Sequence, residues 1–309
     1  MTRRTTKSAT RSLIAVAALG LVLASCGSDE GDPGDAGGGD SSAGEEGAGG
    51  GTTVEADEEL AAMVPEDIAE AGVLRVGTDA SYAPNEFFDE DGSTIVGFDV
   101  DLFDAVAAKL GLETQWENSS FDTIIVGVSS DKYDVGVSSF TINEDRKTQV
   151  NMISYYNAGT QWAVATGNPD GVDPDDACGL IVAVQTGTVQ EEDDLPVRQE
   201  ACGDNPFTVQ SYEGQDEATS ALVTGKAQAM LADSPIIGYA VSQTNGQIEA
   251  VGEVYDAAPY GYVAPLEDTD LADALAAALT SLEEDGTYGE ILAEWGVEDG
   301  AIDDFAVNP

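Results

Sequence analysis

The 309-residue chain contains no histidine. That removes the side chain that most often serves as a general base near neutral pH, and the commonest zinc ligand. Basic residues are scarce. Eleven Lys and Arg stand against 59 Asp and Glu, for a formal net charge of −48. A chain of that sign excludes nucleic acid and anionic lipid headgroups as natural partners. Cysteine is limited to Cys26, Cys178 and Cys202. Long apolar runs are missing too. The Leu13 to Leu23 run is too short to span a bilayer as a stable helix, and nothing later is apolar for long enough.

What is present begins with a leader. Arg3, Arg4, Lys7 and Arg11 make a basic start, Leu13 to Leu23 is apolar, and small residues follow. That order is a secretory signal peptide over residues 1–25. Its ending, Leu23-Ala24-Ser25-Cys26, resembles the lipobox of bacterial lipoproteins. The resemblance implies cleavage before Cys26 and a lipid anchor on that residue. The alternative is an ordinary signal peptide with Cys26 incidental. From Gly27 to Thr53 the chain is mainly Gly, Ser, Ala, Asp and Glu, with no aromatic residue. It cannot bury enough apolar surface to offset its ordering entropy. Residues 26–57 are therefore expected to form a flexible acidic linker with a reach of roughly 30 Å. It would hold a soluble domain on the extracytoplasmic face of the cell membrane.

The first four basic residues leave with the leader, and all 59 acids lie after Cys26. Seven cations then face 59 acids, a net charge of −52. Such self-repulsion points either to a high-salt habitat or to an acidic surface that aids solubility. With Cys26 lipidated, Cys178 and Cys202 remain as a pair in an oxidising compartment. A disulfide between them is the natural expectation and would stabilise by roughly 3 kcal/mol. Two buried free thiols are the alternative.

From about Val54 onward the length suits one large domain or two lobes. Val73 to Gly77, Leu112 to Trp116, Asp134 to Ser138, Leu180 to Val184 and Ala227 to Leu231 read as strands. Leu102, Phe103, Val106 and Leu110 recur at helical spacing, with Gly111 as a stop signal. Phe121 to Val128, Glu217 to Val223, and the stretch marked by Leu271, Leu275, Leu279 and Leu282 also read as helices. Alternation of this kind predicts an α/β fold with largely parallel sheets. Two such units in tandem suggest two lobes with a cleft between them.

Three segments carry candidate chemistry. Thr78 to Pro84 follows the first strand, where ligands sit in open α/β sheets. Asp79 and Tyr82 there suit an ammonium and an apolar stem, or else a turn with a satisfied Asp and a packing Tyr. Ser138 to Arg146 joins a strand to a helix that starts near Thr141 or Asn143. Hydroxyls and free N–H groups at such a junction suit an anion. Arg146 in a first helical turn opposes the macrodipole, which makes sense if it grips a carboxylate. A salt bridge to one of the many nearby acids is the rival. Val184 to Glu191 runs from a strand through a Gly turn into Thr188-x-x-Glu191, a capping-box pattern. Later, Asp233 closes an apolar strand, either to receive a primary ammonium or to cap the helix beginning at Pro235.

Together these pieces resemble a family. Val76 to Tyr82, Gly97-Phe98-Asp99-Val100-Asp101-Leu102, and Tyr133-Asp134-Val135-Gly136 leading to Thr141, Ile142 and Arg146 are similar to solute-binding proteins of ABC importers for polar amino acids. Thr186-Gly187-Thr188, Ala229 to Asp233, Pro259-Tyr260-Gly261 and Asp285-Gly286-Thr287-Tyr288 with Trp295 continue the likeness in the same order. The resemblance covers nearly all of the chain after about residue 65. It implies a two-lobed periplasmic-binding-protein-like fold, each lobe a mostly parallel sheet flanked by helices, joined by two hinge strands. Lobe I would take residues 58–160 and 260–309, and lobe II residues 161–259. Crossings would fall near Gln161-Trp162 and near Pro259-Tyr260.

By position, Arg146 and Thr141 would hold an α-carboxylate, with Thr188 adding to it. Asp233 and Ser139 would hold the α-ammonium. Tyr82 and Phe121 would sandwich the side chain, with Asp79 near its tip. Asn143 stands where Thr or Ser is usual, Gln185 where some relatives place lysine, and Val189 where others carry Thr or Gly. These departures bear on side-chain specificity and not on head-group recognition. An acidic ligand is not expected, because Arg146 is the one cation in the implied site; a basic or neutral polar amino acid is. No cofactor or metal is expected. Permease subunits of an ABC importer would be the partner of a monomer. Two other readings remain: an extracytoplasmic enzyme on the same fold, such as a dehydratase, and a receptor domain that presents ligand to a sensor.

Overall fold

The computed structural model describes residues 54–309. The expected signal peptide, the lipidation site Cys26 and the linker as far as Thr53 lie outside the described residues.

Eleven strands are formed among the described residues. They are β1 (Val73–Thr78), β2 (Ser81–Tyr82), β3 (Glu86–Phe88), β4 (Ile95–Val96), β5 (Glu113–Asn118) and β6 (Val135–Thr141). They continue with β7 (Val150–Ala165), β8 (Ile181–Gln185), β9 (Thr208–Tyr212), β10 (Ala229–Asp233) and β11 (Ile248–Pro265). All five strands read from branched residues are present, with ends moved by at most three residues.

Eight strands form one sheet in the order β5-β1-β6-β11-β7-β10-β8-β9. At one end β5, β1 and β6 run parallel, and at the other β10, β8 and β9 do. The centre is antiparallel, because β11 opposes β6 and β7, and β10 opposes β7. The largely parallel expectation therefore holds for the two flanks and gives way at the join. There β7 and β11 pair along nearly their whole length, from Val150 opposite Pro265 to Ala165 opposite Ile248.

These two strands connect two lobes with separate cores. One pair of apolar clusters draws on residues between Val64 and Ala158 and between Tyr260 and Phe305. The other pair draws on residues between Trp162 and Tyr255, with Tyr82 as the one member from the first part of the chain. The register of β11 slips between Val251 and Ala258, so the ladder is interrupted where the strands pass between cores. Gly159 sits at this crossing. A Cβ there would stand 2.7 Å from the Tyr255 carbonyl oxygen and 2.7 Å from a Val254 methyl, so only glycine fits.

The helices follow from apolar spacing. In Thr269–Asp285, Leu271, Leu275, Leu279 and Leu282 are all fully buried. Each stabilises the lobe by roughly 1.5–3 kcal/mol. The helix ends at Gly286, whose φ of 90° is the left-handed stop that glycine accepts. Phe98–Lys109 and Phe121–Ser129 match the helical readings, and the helix read from Glu217 starts two residues earlier, at Gln215. Cys178 and Cys202 form the expected disulfide, which closes the loop before β8 onto the end of helix Leu195–Ala201.

Candidate functional site

Four strand ends converge on the cleft, each at the carboxyl end of a parallel strand. β1 leads to Asp79, β6 to Thr141 and Arg146, β8 to Gln185 and Thr188, and β10 to Asp233. The first two belong to one lobe and the last two to the other. Ligand-binding groups gather at such ends in open α/β sheets.

Arg146 lies in a single helical turn, Glu144–Lys147, capped by Asn143, whose Oδ1 accepts from the Arg146 N–H at 2.9 Å. The dipole argument read from the sequence fails here. Four residues build no macrodipole, and Arg146 belongs as much to the last turn as to the first. What singles out Arg146 is burial. The residue is 7% exposed, and among the described residues it forms no ion pair. The rival reading of a surface salt bridge is thereby set aside. Its guanidinium donates to the Thr141 carbonyl at 2.8 Å and, across the cleft, to the Gly187 carbonyl at 3.0 Å. Phe121 and Phe140, stacked 4.8 Å apart, stand beside it. Burial lowers the Arg146 pKa, as expected of a desolvated cation without an anion. A guanidinium has five N–H donors, so further donors remain for a planar anion.

Asp233 begins helix Ser234–Gln243 but makes no cap with its side chain. Its carboxylate instead accepts from the Tyr82 and Tyr260 hydroxyls and from Gln190 Nε2, each at 2.8 Å. Burial raises its pKa against the lowering effect of those bonds and of the Arg146 charge. Thr188 Oγ1 donates to the Gln185 carbonyl at 2.8 Å and accepts from the Glu191 N–H at 3.3 Å. The reciprocal half of the predicted capping box is displaced by one residue, because Glu191 Oε2 accepts from the Gly187 N–H at 2.7 Å. The helix that follows starts as a π-helical turn, Gln190–Asp194. Such turns often re-aim side chains at functional sites, and this one carries Gln190 to Asp233.

Tyr82, Phe121, Ser139, Thr141, Arg146, Thr188 and Asp233 line one cavity, joined by Val189 and Gln190. Its volume is about 10 Å³, close to the least that holds one water. The lobes must part before anything larger enters. Asp79 is the one expected site residue that does not line this space. Its Oδ2 accepts from the Phe121 N–H at 2.9 Å and from Gln185 Nε2 at 3.1 Å, and its Oδ1 accepts from Ser81 Oγ at 2.6 Å. It opens onto a neighbouring chamber of about 280 Å³ shared with Asn118, Glu213, Asp216 and Glu217. Burial, with Asp216 adding, pushes the Asp79 pKa up to about 6.

A model of the bacterial extracellular solute-binding proteins, family 3, matches residues 74–298. The chain belongs to that family. Over 253 residues this solute-binding protein is 44% identical to the arginine-binding protein ArgT of Corynebacterium glutamicum, covering 81% of this chain and 83% of that one. Among solved structures it is similar to an ancestral arginine-binding protein bound to arginine. That match has a TM-score of 0.68 at 34% identity and covers 72% of this chain and 98% of the other. An ancestral arginine-binding protein bound to glutamine matches with a TM-score of 0.67 at 35% identity, covering 74% and 99%. The family's description puts its members outside the cell, and no helix of the described residues is long and apolar enough to cross a membrane.

The sequence does not mark Gln185, Gln190 and Tyr260 of the solute-binding protein's cleft as site members, nor Glu213, Asp216 and Glu217 of the chamber. Gln190 and Tyr260 hold Asp233. Gln185 was marked only as a departure, yet it is 1% exposed and its Oε1 has no partner. A buried glutamine carries no sequence signature, whereas the Tyr260 string already marked a hinge.

Proposed function

We propose that this solute-binding protein captures a basic amino acid, with arginine as its main ligand, between its lobes and delivers it to the permease subunits of an ABC importer. Arg146 and Thr141 receive the α-carboxylate, with Thr188 adding from the second lobe. Asp233 and Ser139 receive the α-ammonium. Tyr82 and Phe121 flank the stem, and Asp79 with Gln185 meets the tip. The observation that carries the reading is charge. Asp79, Glu213, Asp216 and Glu217 line the chamber beside the head-group cavity, and no Lys or Arg lines it. A cationic side chain there relieves carboxylates that otherwise crowd one another. The names of the relatives, arginine-binding above all, support the same choice.

The protein acts as a binder and not as an enzyme. Relatives at these identities are named as binding proteins, and the chain offers no histidine for proton transfer. Lobe boundaries near residues 160 and 260 accord with the separation of the cores. Lipidation of Cys26 would tether a monomer to the outer face of the membrane, where the permease lies.

Calorimetry with arginine, lysine, glutamine and glutamate is the direct test. Arginine is expected to bind at about micromolar Kd or tighter, about −8 kcal/mol, and glutamate not at all. Tight glutamate binding, or no binding of arginine, would refute the assignment.

A further inference from the structure

Ser139 lines the head-group cavity with a φ of 52°, in the left-handed region that serine seldom adopts. Two carboxyls hold it there. Its N–H donates to Asp99 Oδ2 at 3.2 Å, and its Oγ lies 3.1 Å from the same oxygen and 3.3 Å from Glu86 Oε2. Asn85 Nδ2 donates to that Oγ at 2.7 Å. The neighbouring Ser138 Oγ donates to Glu86 Oε1 at 3.1 Å and accepts from the Asp79 N–H at 3.1 Å. Tyr155 donates its hydroxyl to Asp99 Oδ2 at 2.5 Å. Both ends of the ligand site, Ser139 and Asp79, are thus tied to one carboxyl pair.

Glu86 and Asp99 have no exposed surface, and Glu86 Oε2 and Asp99 Oδ2 both reach the one Ser139 hydroxyl, at 3.3 and 3.1 Å. No Lys or Arg of the described residues forms an ion pair with either. The titratable groups that face them are Asp79 beyond β1, Tyr82 on β2, Tyr155 and Tyr156 on β7, and Tyr262 on β11. None of these supplies positive charge. Two ionised carboxylates converging on one hydroxyl, dry and without a cation, are far costlier than one carboxylate beside one carboxylic acid.

We propose that Glu86 and Asp99 hold one proton between them and act as a positioning pair, fixing Ser139 and the Asp79 loop against the bound amino acid. Burial pushes both carboxyls up, and the Asp99 charge raises Glu86 further. With one proton the pair keeps its acceptors for Ser138, Ser139 and Tyr155 and carries a single negative charge. The inference rests on the reading of Ser139 as part of the head-group site.

Two measurements test it. An infrared difference spectrum, wild type minus Glu86→Gln, is taken at about pH 8, above the titration of Asp79. It is expected to show the C=O stretch of a protonated carboxylic acid, shifted in D2O. No such band would overturn the shared proton. Positioning is read from the arginine Kd. Asp99→Ala strands the Ser139 N–H and the Tyr155 hydroxyl and is expected to weaken arginine about tenfold or more. Asp99→Asn, which keeps an acceptor oxygen, is expected to recover to within about threefold of wild type. Unchanged affinity in Asp99→Ala would overturn the positioning role. Should that variant not fold, Tyr155→Phe takes its place, with a weakening of about threefold expected and wild-type affinity counting against the role. Wild-type protein that binds no arginine would refute the proposed ligand, while the infrared band would still decide the proton.

Discussion

At one end of the cleft, Arg146 and Asp233 line the same small cavity, one from each lobe, and their charges offset. At the other end, Asp79, Glu213, Asp216 and Glu217 line a larger chamber with no cation among its walls. The first end suits a zwitterion of any amino acid. The second is negative, and its neighbour Gln185 keeps a buried acceptor without a donor. Under the proposed function, the contrast separates two kinds of recognition in one ligand: the head-group end would fix the class, and the chamber would choose the member.

The largest expected effect falls on the head-group end. Arg146→Ala leaves a ligand carboxylate unpaired in a dry cavity, at a cost of roughly 2–5 kcal/mol. Calorimetry is expected to show arginine and any neutral amino acid weakened alike. A loss confined to arginine would break the division. Asp79→Asn addresses the other end and removes a charged partner of the side chain, worth about 1.5–3 kcal/mol. Arginine is expected to weaken by that amount, while glutamine, if bound, changes little.

The pH dependence sharpens the same contrast. The Asp79 pKa in the folded protein is raised to about 6 from the usual 3.8. Stability contributed by its neutral form is complete below the lower value and is lost as pH rises through the upper one. A cationic ligand needs the ionised form, so the dependence of binding runs the other way. Arginine affinity is expected to fall as pH drops below about 6 in wild type, by up to about tenfold per unit. In Asp79→Asn that dependence should shrink to what the Asp99 carboxyl, also raised to about 6, contributes through Ser139. A wild-type profile flat from pH 7 to about 5 would place the cation elsewhere.

Salt gives the smallest effect on binding. The Debye length shortens from about 10 Å at 0.1 M to about 3 Å at 1 M, which screens exposed charges far more than buried ones. Arginine affinity is expected to fall by less than about threefold over that range, because Asp79, the carboxylate placed at the side-chain tip, is 5% exposed, and only the exposed Glu213, Asp216 and Glu217 are screened. Apparent unfolding temperature should climb over the same range in KCl, since surface self-repulsion is relieved. A steep loss of affinity would mean that the acidic surface as a whole attracts the ligand.

The same division governs what the sequence made legible. Strands β1 and β6 announce themselves by short runs of branched residues, and the helix with Leu271, Leu275, Leu279 and Leu282 by apolar spacing. The long strands β7 and β11 do not. Val150 to Tyr156 is buried without alternation, and Gly159, Gly252 and Asp256 interrupt the apolar pattern where the strands cross. The two- and three-residue strands β2, β3 and β4 are too short for any period. In the site, charged and hydroxyl residues at strand ends stood out, and seven of the eight expected residues line one cavity. Gln190 and the acidic wall from Glu213 to Glu217 stayed hidden. A buried amide looks like any polar residue, and in a chain with 59 acids these three attract no notice.

The central claim is that a positive side chain is selected by the chamber beside Asp79. Arginine against citrulline tests it most directly, since the two share head group, length and shape and differ in charge. Calorimetry near neutral pH is expected to show arginine tighter by about tenfold or more, the worth of a hydrogen-bonded charge at a buried site. Equal affinities, or a preference for citrulline, would contradict it.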